Sequence, residues 1–170
     1  MKLKQLLFSG CFILLTGTGL RAQGFTVPQQ VVLKEKEDYR KYETDIIASA
    51  KWLEATPLGQ EMEKRLQVNA FVVQWITGSP NVSVSIGNMV MKLVENNEDL
   101  LPLYLAGYAR FILEGGDGND ALGAHLAAIR SILRCYALGG DVQKSKALQK
   151  AATLEKKGGL REWVQKEMEK

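Results

Sequence analysis

Apolar residues recur every three or four positions along most of the chain beyond Glu35, which is the period of one face of an α-helix. The first such stretch predicts a single helix from Glu35 to about Ala55. The second is predicted to begin at Thr56-Pro57, because threonine caps helix starts and proline fits the first turn, and to end near Thr77. The buried stripe of this second helix is expected to comprise Leu58, Met62, Leu66, Val73 and Ile76.

The most apolar stretch of this region, residues 100–113, predicts a central core helix with Asp99 as its N-cap. A further helix is predicted to follow a cap at Asn119 or Asp120 and to end at the glycine pair 139–140. Two more polar helices complete the chain, and Asp141 is expected to cap the first of them. Residues 89–94 predict a short helix. In residues 81–86 serines alternate with apolar side chains, and this segment is either an extended connector or the entry to the short helix.

Together these elements predict an all-α fold, a single compact domain of six or seven helices with short Gly-rich turns. The helical domain is predicted to span residues 34–170. Residues 23–33 have no helical stripe and predict an extended N-terminal arm. No alternation of strands and helices occurs that would indicate a parallel sheet.

The first 22 residues have a different pattern, with a basic start, an apolar run from Leu6 to Leu15 and a small residue at Ala22. This order predicts a secretory signal peptide that is cleaved near Ala22, so the mature protein is expected in the periplasm or outside the cell. The apolar run is much shorter than the ~20 residues that cross a bilayer. Lipid attachment at Cys11 and a retained N-terminal anchor are the alternatives.

Cleavage would change the charge balance of the chain. Three of its 22 basic residues and none of its 19 acidic residues lie in the leader, so the mature chain is neutral. Nucleic-acid binding needs a surplus of cations, and we therefore expect no nucleic-acid partner. The mature chain is also expected to have no stable membrane span. Cys135 is its one cysteine, which excludes an intramolecular disulfide.

Few side chains suggest chemistry. His125 is the single histidine and lies beside an apolar stripe, which is typical of a core or boundary position. One histidine and one cysteine do not make a zinc site. Residues 114–120 are acidic and Gly-rich, but a calcium loop that starts at Asp117 loses its required ligands after the third position. We therefore assign no metal, no cofactor and no catalytic residue.

The absence of a catalytic constellation favours a non-enzymatic binding or interaction domain, with a protein or a small ligand as partner. Its binding residues are predicted at the end of the second helix, where backbone polar groups become free. These residues are Trp75, Thr77, Ser79 and Asn81. The alternative is a periplasmic hydrolase that uses carboxylates from separate helices. Its candidate acids are Glu54, Glu61, Glu114 and Asp117, and the oligomeric state is open.

Residues 52–138 resemble a group of small exported all-helical proteins of Bacteroidetes-type bacteria. The resemblance depends on a run from Trp52 through Trp75–Pro80, on the alternating serines that follow, and on the apolar block at 100–113. It implies a helical fold and an exported location. No activity is known for that group, so the resemblance implies no functional residues.

Overall fold

The computed structural model describes residues 24–170, and the predicted signal peptide lies outside this range. The described residues form eight helices and contain no strand. In chain order the helices are α1 Lys36–Lys41, α2 Glu43–Ala55, α3 Met62–Gly78, α4 Asn88–Val94, α5 Leu100–Leu113, α6 Ala121–Leu138, α7 Lys146–Lys157 and α8 Leu160–Met168. The all-α class is therefore confirmed. None of these helices is both long and apolar enough to cross a membrane.

The helix count exceeds the predicted six or seven because the first predicted helix is divided at Tyr42. This residue has φ −105° and ψ 4°, and it both ends α1 and precedes α2. α1 begins with a reciprocal cap, in which the carboxylate of Asp38 accepts hydrogen bonds from the backbone amides of Lys34 and Glu35, both 3.0 Å long. This cap sets the start of α1, whereas the non-helical backbone of Tyr42 separates α1 from α2 although the apolar spacing continues through it.

The centre of the molecule is α5, which packs against α2, α3, α4 and α6. Its closest partner is α6, and Gly107 makes this approach possible. A Cβ atom at Gly107 would lie 2.3 Å from Ser131 Oγ and 3.1 Å from Ala128 Cα, both on α6. Ser131 of α6 thus packs directly against the backbone of α5 at this point.

The second predicted helix starts later than expected and turns a different face to the core. Thr56 does not cap it, because its Oγ1 donates to the carbonyl of Trp52 at 2.8 Å, and α3 begins only at Met62. Of the predicted buried stripe, three residues are exposed, namely Met62 at 44%, Leu66 at 61% and Val73 at 42%. The buried apolar residues of α3 are instead Val68, Phe71, Val72 and Trp75.

A buried arginine accounts for this rotation of α3. Arg65 is fully buried, and its Nη2 donates to the carbonyls of Thr56 at 2.6 Å and Pro57 at 3.2 Å. Its guanidinium also lies 5.6 Å from the ring centre of Trp52. Because Arg65 satisfies carbonyls that the end of α2 leaves free, the face of α3 that carries it turns inward.

The remaining predictions concern the segments between the helices and the residues that cap them. Residues 81–87 form an extended connector without strand pairing, and α4 starts at Asn88. Asp120 caps α6 as predicted and accepts a hydrogen bond of 2.8 Å from the amide of Gly123. Asp99 precedes α5 but makes no capping bond, and Asn69 donates to it instead at 3.0 Å. The predicted cap at Asp141 is wrong, because α7 begins five residues later, at Lys146, and is capped by Ser145.

One apolar core joins all these elements and extends into the N-terminal segment. Residues 24–35 contain neither helix nor strand, yet Val27 is buried and Phe25, Val31 and Leu33 pack against the core. At the other end of the chain, Leu160 and Val164 bury α8. Cys135 is buried and unpaired. Among the described residues the fold is therefore held together by packing, without a disulfide.

Candidate functional site

The main candidate site is a cavity of about 570 Å³ at the place where the start of α4, the start of α6 and the end of α8 meet. We call it the Met–His cleft. It is lined by residues 85–92, Ala121, His125, Glu167, Met168 and Lys170. Its volume lies within the roughly 300–1,000 Å³ that is typical of small-ligand sites.

Exposed apolar side chains gather at this cleft. Ile86, Met91 and Met168 are 43%, 54% and 39% exposed, and Met89 lines the cleft from a buried position. Ile86, Met91 and Met168 are three of only eight large apolar side chains that are exposed in residues 24–170. Methionine is unbranched and polarisable, and it adapts to differently shaped apolar partners. The cleft is thus an apolar surface that the fold leaves uncovered.

His125 is one of the polar groups of the cleft, and a buried tyrosine holds its ring. It is 7% exposed, as the sequence predicted for a core or boundary histidine, and its Nδ1 is in a short hydrogen bond with Tyr104 Oη from α5. The ring of Tyr108 contacts the imidazole edge-on, with the ring centres 5.3 Å apart. Two aromatic side chains of α5 therefore fix the orientation of the imidazole.

The protonation of this pair follows from burial. Burial lowers the pKa of His125 from its ordinary value of 6.5, so the imidazole is neutral at physiological pH. Burial, with a smaller contribution from Tyr108, raises the pKa of Tyr104 far above its ordinary value, so this hydroxyl keeps its proton. The two groups therefore share one hydrogen bond between neutral partners.

The hydrogen bond also determines the tautomer of His125. Tyr104 Oη has no second side-chain or backbone partner in the described part of the chain. If Nδ1 carried the proton and donated, the buried hydroxyl proton of Tyr104 would lack an acceptor, which costs about 1–3 kcal/mol. The favoured arrangement has Tyr104 donating to Nδ1. The proton of the neutral ring is then on Nε2, which is free to donate to a bound molecule.

Three charged side chains line the cleft. Lys170 pairs with Glu167 at 2.5 Å, and this contact, followed by weaker effects that include Lys92, lowers the pKa of Glu167. Lys92 is exposed, and the described residues give it no ion pair. One lysine charge therefore remains uncompensated by a direct partner at the cleft.

A second cavity, of about 500 Å³, lies where the turn before α3, the turn before α5 and the turn after α6 meet. Its walls carry Glu98, Asp99 and Asp141, and Leu58 and Met62 are the apolar side chains that line it. The described residues contain no cluster of at least three histidine, cysteine or acidic side chains with metal-site geometry. A polar, acidic wall without such a cluster matches a small-ligand site less well than the Met–His cleft does.

The structure places the predicted binding residues at the end of α3, away from both cavities. Trp75 is fully buried, and its Nε1 donates to the carbonyl of Tyr39 at 2.9 Å. The hydroxyl of Ser79 is buried and finds no partner among the described residues. Thr77 and Asn81 are exposed. The structure thus leaves only Thr77 and Asn81 open to a partner, and binding at this helix end stays a prediction.

Two of the four candidate acids are brought together, but by a shared arginine. Arg110 lies 2.9 Å from Glu54 and 3.6 Å from Glu114. Arg134 also donates two hydrogen bonds of 3.0 Å to the carboxylate of Glu54, and the hydroxyl of Ser131 donates to the same carboxylate. Burial alone would raise the pKa of Glu54, but hydrogen bonds from Arg134, Ser131 and Arg110 outweigh burial and lower it. Glu54 thus stays ionised, which suits a structural ion pair better than a general acid.

The other two candidate acids do not join this pair. Glu61 occupies the left-handed position immediately before α3, with φ 47°. Asp117 accepts a hydrogen bond of 2.9 Å from the amide of Asn119 within the loop before α6. The described residues contain no cluster of three or more acidic, histidine or cysteine side chains suited to a metal ion. The four carboxylates therefore do not form one cleft.

The sequence predicts His125 only as a core or boundary histidine and does not reveal the surface around it. The apolar residues of the cleft come from three segments, at positions 85–92, 121–125 and 167–170. Met91 and Met168 each look like an ordinary exposed side chain of an amphipathic helix. The one available signal was the coincidence of the single histidine with an apolar stripe.

Comparison with known proteins gives no matching family model, no similar curated protein and no similar solved structure. The resemblance to exported helical proteins of Bacteroidetes-type bacteria therefore stays a prediction.

Proposed function

We propose that this protein is an exported, non-enzymatic binding protein whose ligand site is the Met–His cleft. The ligand is a small, mostly apolar molecule with one hydrogen-bond acceptor. Its apolar part packs against Met89, Met91 and Met168, and its acceptor receives the Nε2 proton of His125. The neutral charge balance of the mature chain argues against nucleic acid as the partner.

The observation that carries the proposal is the fixed imidazole within an uncovered apolar cleft. Small-ligand sites combine a mostly apolar lining with a few placed polar groups that set orientation. Here Tyr104 holds the ring and leaves one N–H available. A histidine that served only the core would need no cavity of about 570 Å³ beside it.

A hydrolase based on separate carboxylates is the alternative, and the geometry supports it less well. Glu54 and Glu114 meet at Arg110 rather than across an open groove.

The proposed export is supported by the N-terminal charge and apolar pattern. N-terminal sequencing of the protein purified from its native envelope should start at Gln23, and a chain starting at Met1 would contradict export by cleavage.

Binding at the cleft can be measured with a neutral apolar fluorophore, N-phenyl-1-naphthylamine, whose emission rises in apolar surroundings. We expect saturable binding to the mature protein. The variant Met91→Gln should weaken binding at least about threefold, because it replaces an apolar contact worth about 1 kcal/mol.

The matched control is Leu138→Gln. Leu138 is also a large exposed apolar residue, at 49%, but it does not line the cleft. Its replacement should leave the affinity unchanged. Absence of saturable binding, or equal losses in the two variants, would refute the cleft as the ligand site.

A further inference from the structure

The charged rim of the Met–His cleft specifies the ligand further. Lys92, Lys170 and Glu167 are the charged side chains that line the cleft. Lys170 and Glu167 form an ion pair of 2.5 Å and largely neutralise each other. Lys92 remains exposed and without an ion pair among the described residues. The rim therefore has a positive excess that an anionic group can complement.

His125 favours the same kind of group from within the cleft. Its neutral ring offers Nε2–H as a donor, because the Tyr104 hydroxyl occupies Nδ1. A carboxylate oxygen accepts such a bond more strongly than a neutral oxygen, since charge-assisted hydrogen bonds are roughly twice as strong. The apolar methionine wall then suits a hydrocarbon tail.

We propose that the Met–His cleft binds an amphiphile with a carboxylate head and a medium-length hydrocarbon tail. One head-group oxygen accepts from His125 Nε2–H, Lys92 supplies the counter-charge, and the tail lies against Met89, Met91 and Met168. This inference rests on the proposed function, because it specifies the ligand of the same cleft. Free fatty acids and larger molecules with a carboxylate-terminated chain share this chemistry.

The test is displacement of N-phenyl-1-naphthylamine from the mature protein by three ligands with the same tail, namely octanoate, octanol and octylamine. Octanoate should displace the probe at a concentration about two- to fivefold lower than octanol, and octylamine should be the weakest. This range corresponds to the modest strength of exposed charge pairs. Equal displacement by octanoate and octanol would overturn the inference.

Charge variants make the test specific to the rim. Lys92→Gln should weaken the binding of octanoate about two- to fivefold and leave the binding of octanol unchanged. Glu167→Gln should strengthen the binding of octanoate. The control is Lys144→Gln, since Lys144 is exposed and lies outside the cleft. If Lys92→Gln and Lys144→Gln behave alike, Lys92 does not bind the head group and the inference fails.

The outcomes separate this inference from the function on which it rests. If the fluorophore binds and Met91→Gln weakens its binding, but the three ligands displace it equally well, the cleft is a ligand site without preference for anions. If the fluorophore binds and octanoate does not displace it, the cleft does not take a medium-length carboxylate and the inference fails. If the fluorophore does not bind at all, the proposed function itself fails.

Discussion

One hydrogen bond decides which nitrogen of His125 carries the ring proton, and Tyr104 supplies it. The variant Tyr104→Phe removes this bond and leaves Nδ1 without its partner inside the protein. We expect a loss of about 1–2 kcal/mol in the free energy of unfolding, measured by urea denaturation. We also expect the imidazole ¹⁵N shifts to indicate the Nε2–H tautomer in the wild type and a mixture in the variant.

Two features make this experiment clear. His125 is the only histidine of the chain, so a tag-free protein gives one set of imidazole signals. Tyr136→Phe is the matched control, because Tyr136 is half-buried and its hydroxyl makes no hydrogen bond among the described residues. That control should change the stability by less than about 0.5 kcal/mol. An Nδ1–H tautomer in the wild type would contradict the proposed donor.

Helices α2, α5 and α6 are joined by ion pairs as well as by apolar packing. Glu54 of α2 binds Arg110 of α5 and Arg134 of α6, and its side chain is only 11% exposed. The variant Glu54→Gln leaves Arg110, which is 13% exposed, without its main counter-charge. We expect destabilisation of about 2–4 kcal/mol by chemical denaturation, because breaking a largely buried pair leaves an uncompensated charge.

Glu155→Gln provides the comparison, since Glu155 of α7 pairs with Arg130 of α6 in an exposed contact of 2.8 Å. Exposed pairs contribute little, so this variant should lose less than about 1 kcal/mol. Similar losses of stability in the two variants would mean that the contacts of Glu54 with Arg110 and Arg134 do not stabilise the packing of these helices. Full stability of Glu54→Gln would reopen its assignment as a candidate catalytic acid.

The same helices show how far local pattern predicts structure. The bounds of α5 follow from its long apolar stretch and the glycines after it, although Asp99 makes no capping bond. The cap of α6 at Asp120 also follows from the sequence. For α3, the start and the buried face predicted from the sequence are both wrong. Thr56 bonds back to Trp52, and Arg65 turns inward to reach two carbonyls. These are tertiary requirements, and hydrophobic spacing contains no information about them.

The candidate site depends still more on the complete fold. The Met–His cleft combines residues from α4, α6 and α8, and its histidine is oriented by Tyr104 of α5. No two of these contributions lie close enough in sequence to form a motif. A sequence-based search therefore favoured the helix end at Trp75–Asn81, where turn-forming residues are contiguous. Sites that arise only from packing need coordinates to be found.

The stability of the whole domain should respond to pH through His125. Burial lowers its pKa in the folded protein, whereas the unfolded chain has the ordinary value of 6.5. Above that value neither state binds the proton, and the folded state keeps its full advantage. As the pH falls below about 6.5, the unfolded chain binds a proton that the folded protein resists. The free energy of unfolding should then fall, by up to about 1.4 kcal/mol per pH unit.

His125→Phe isolates this effect, because it removes the titrating ring and keeps an aromatic side chain at the same place. The two proteins are compared by urea denaturation between about pH 5 and pH 7.5. Asp45, whose pKa burial raises, and Glu54 are present in both proteins, so their contributions cancel in the difference. The stability difference between wild type and variant should shrink as the pH falls. A difference that stays constant over this range would show that His125 titrates alike in the folded and unfolded chains. The imidazole would then be solvated rather than kept neutral by burial in the core.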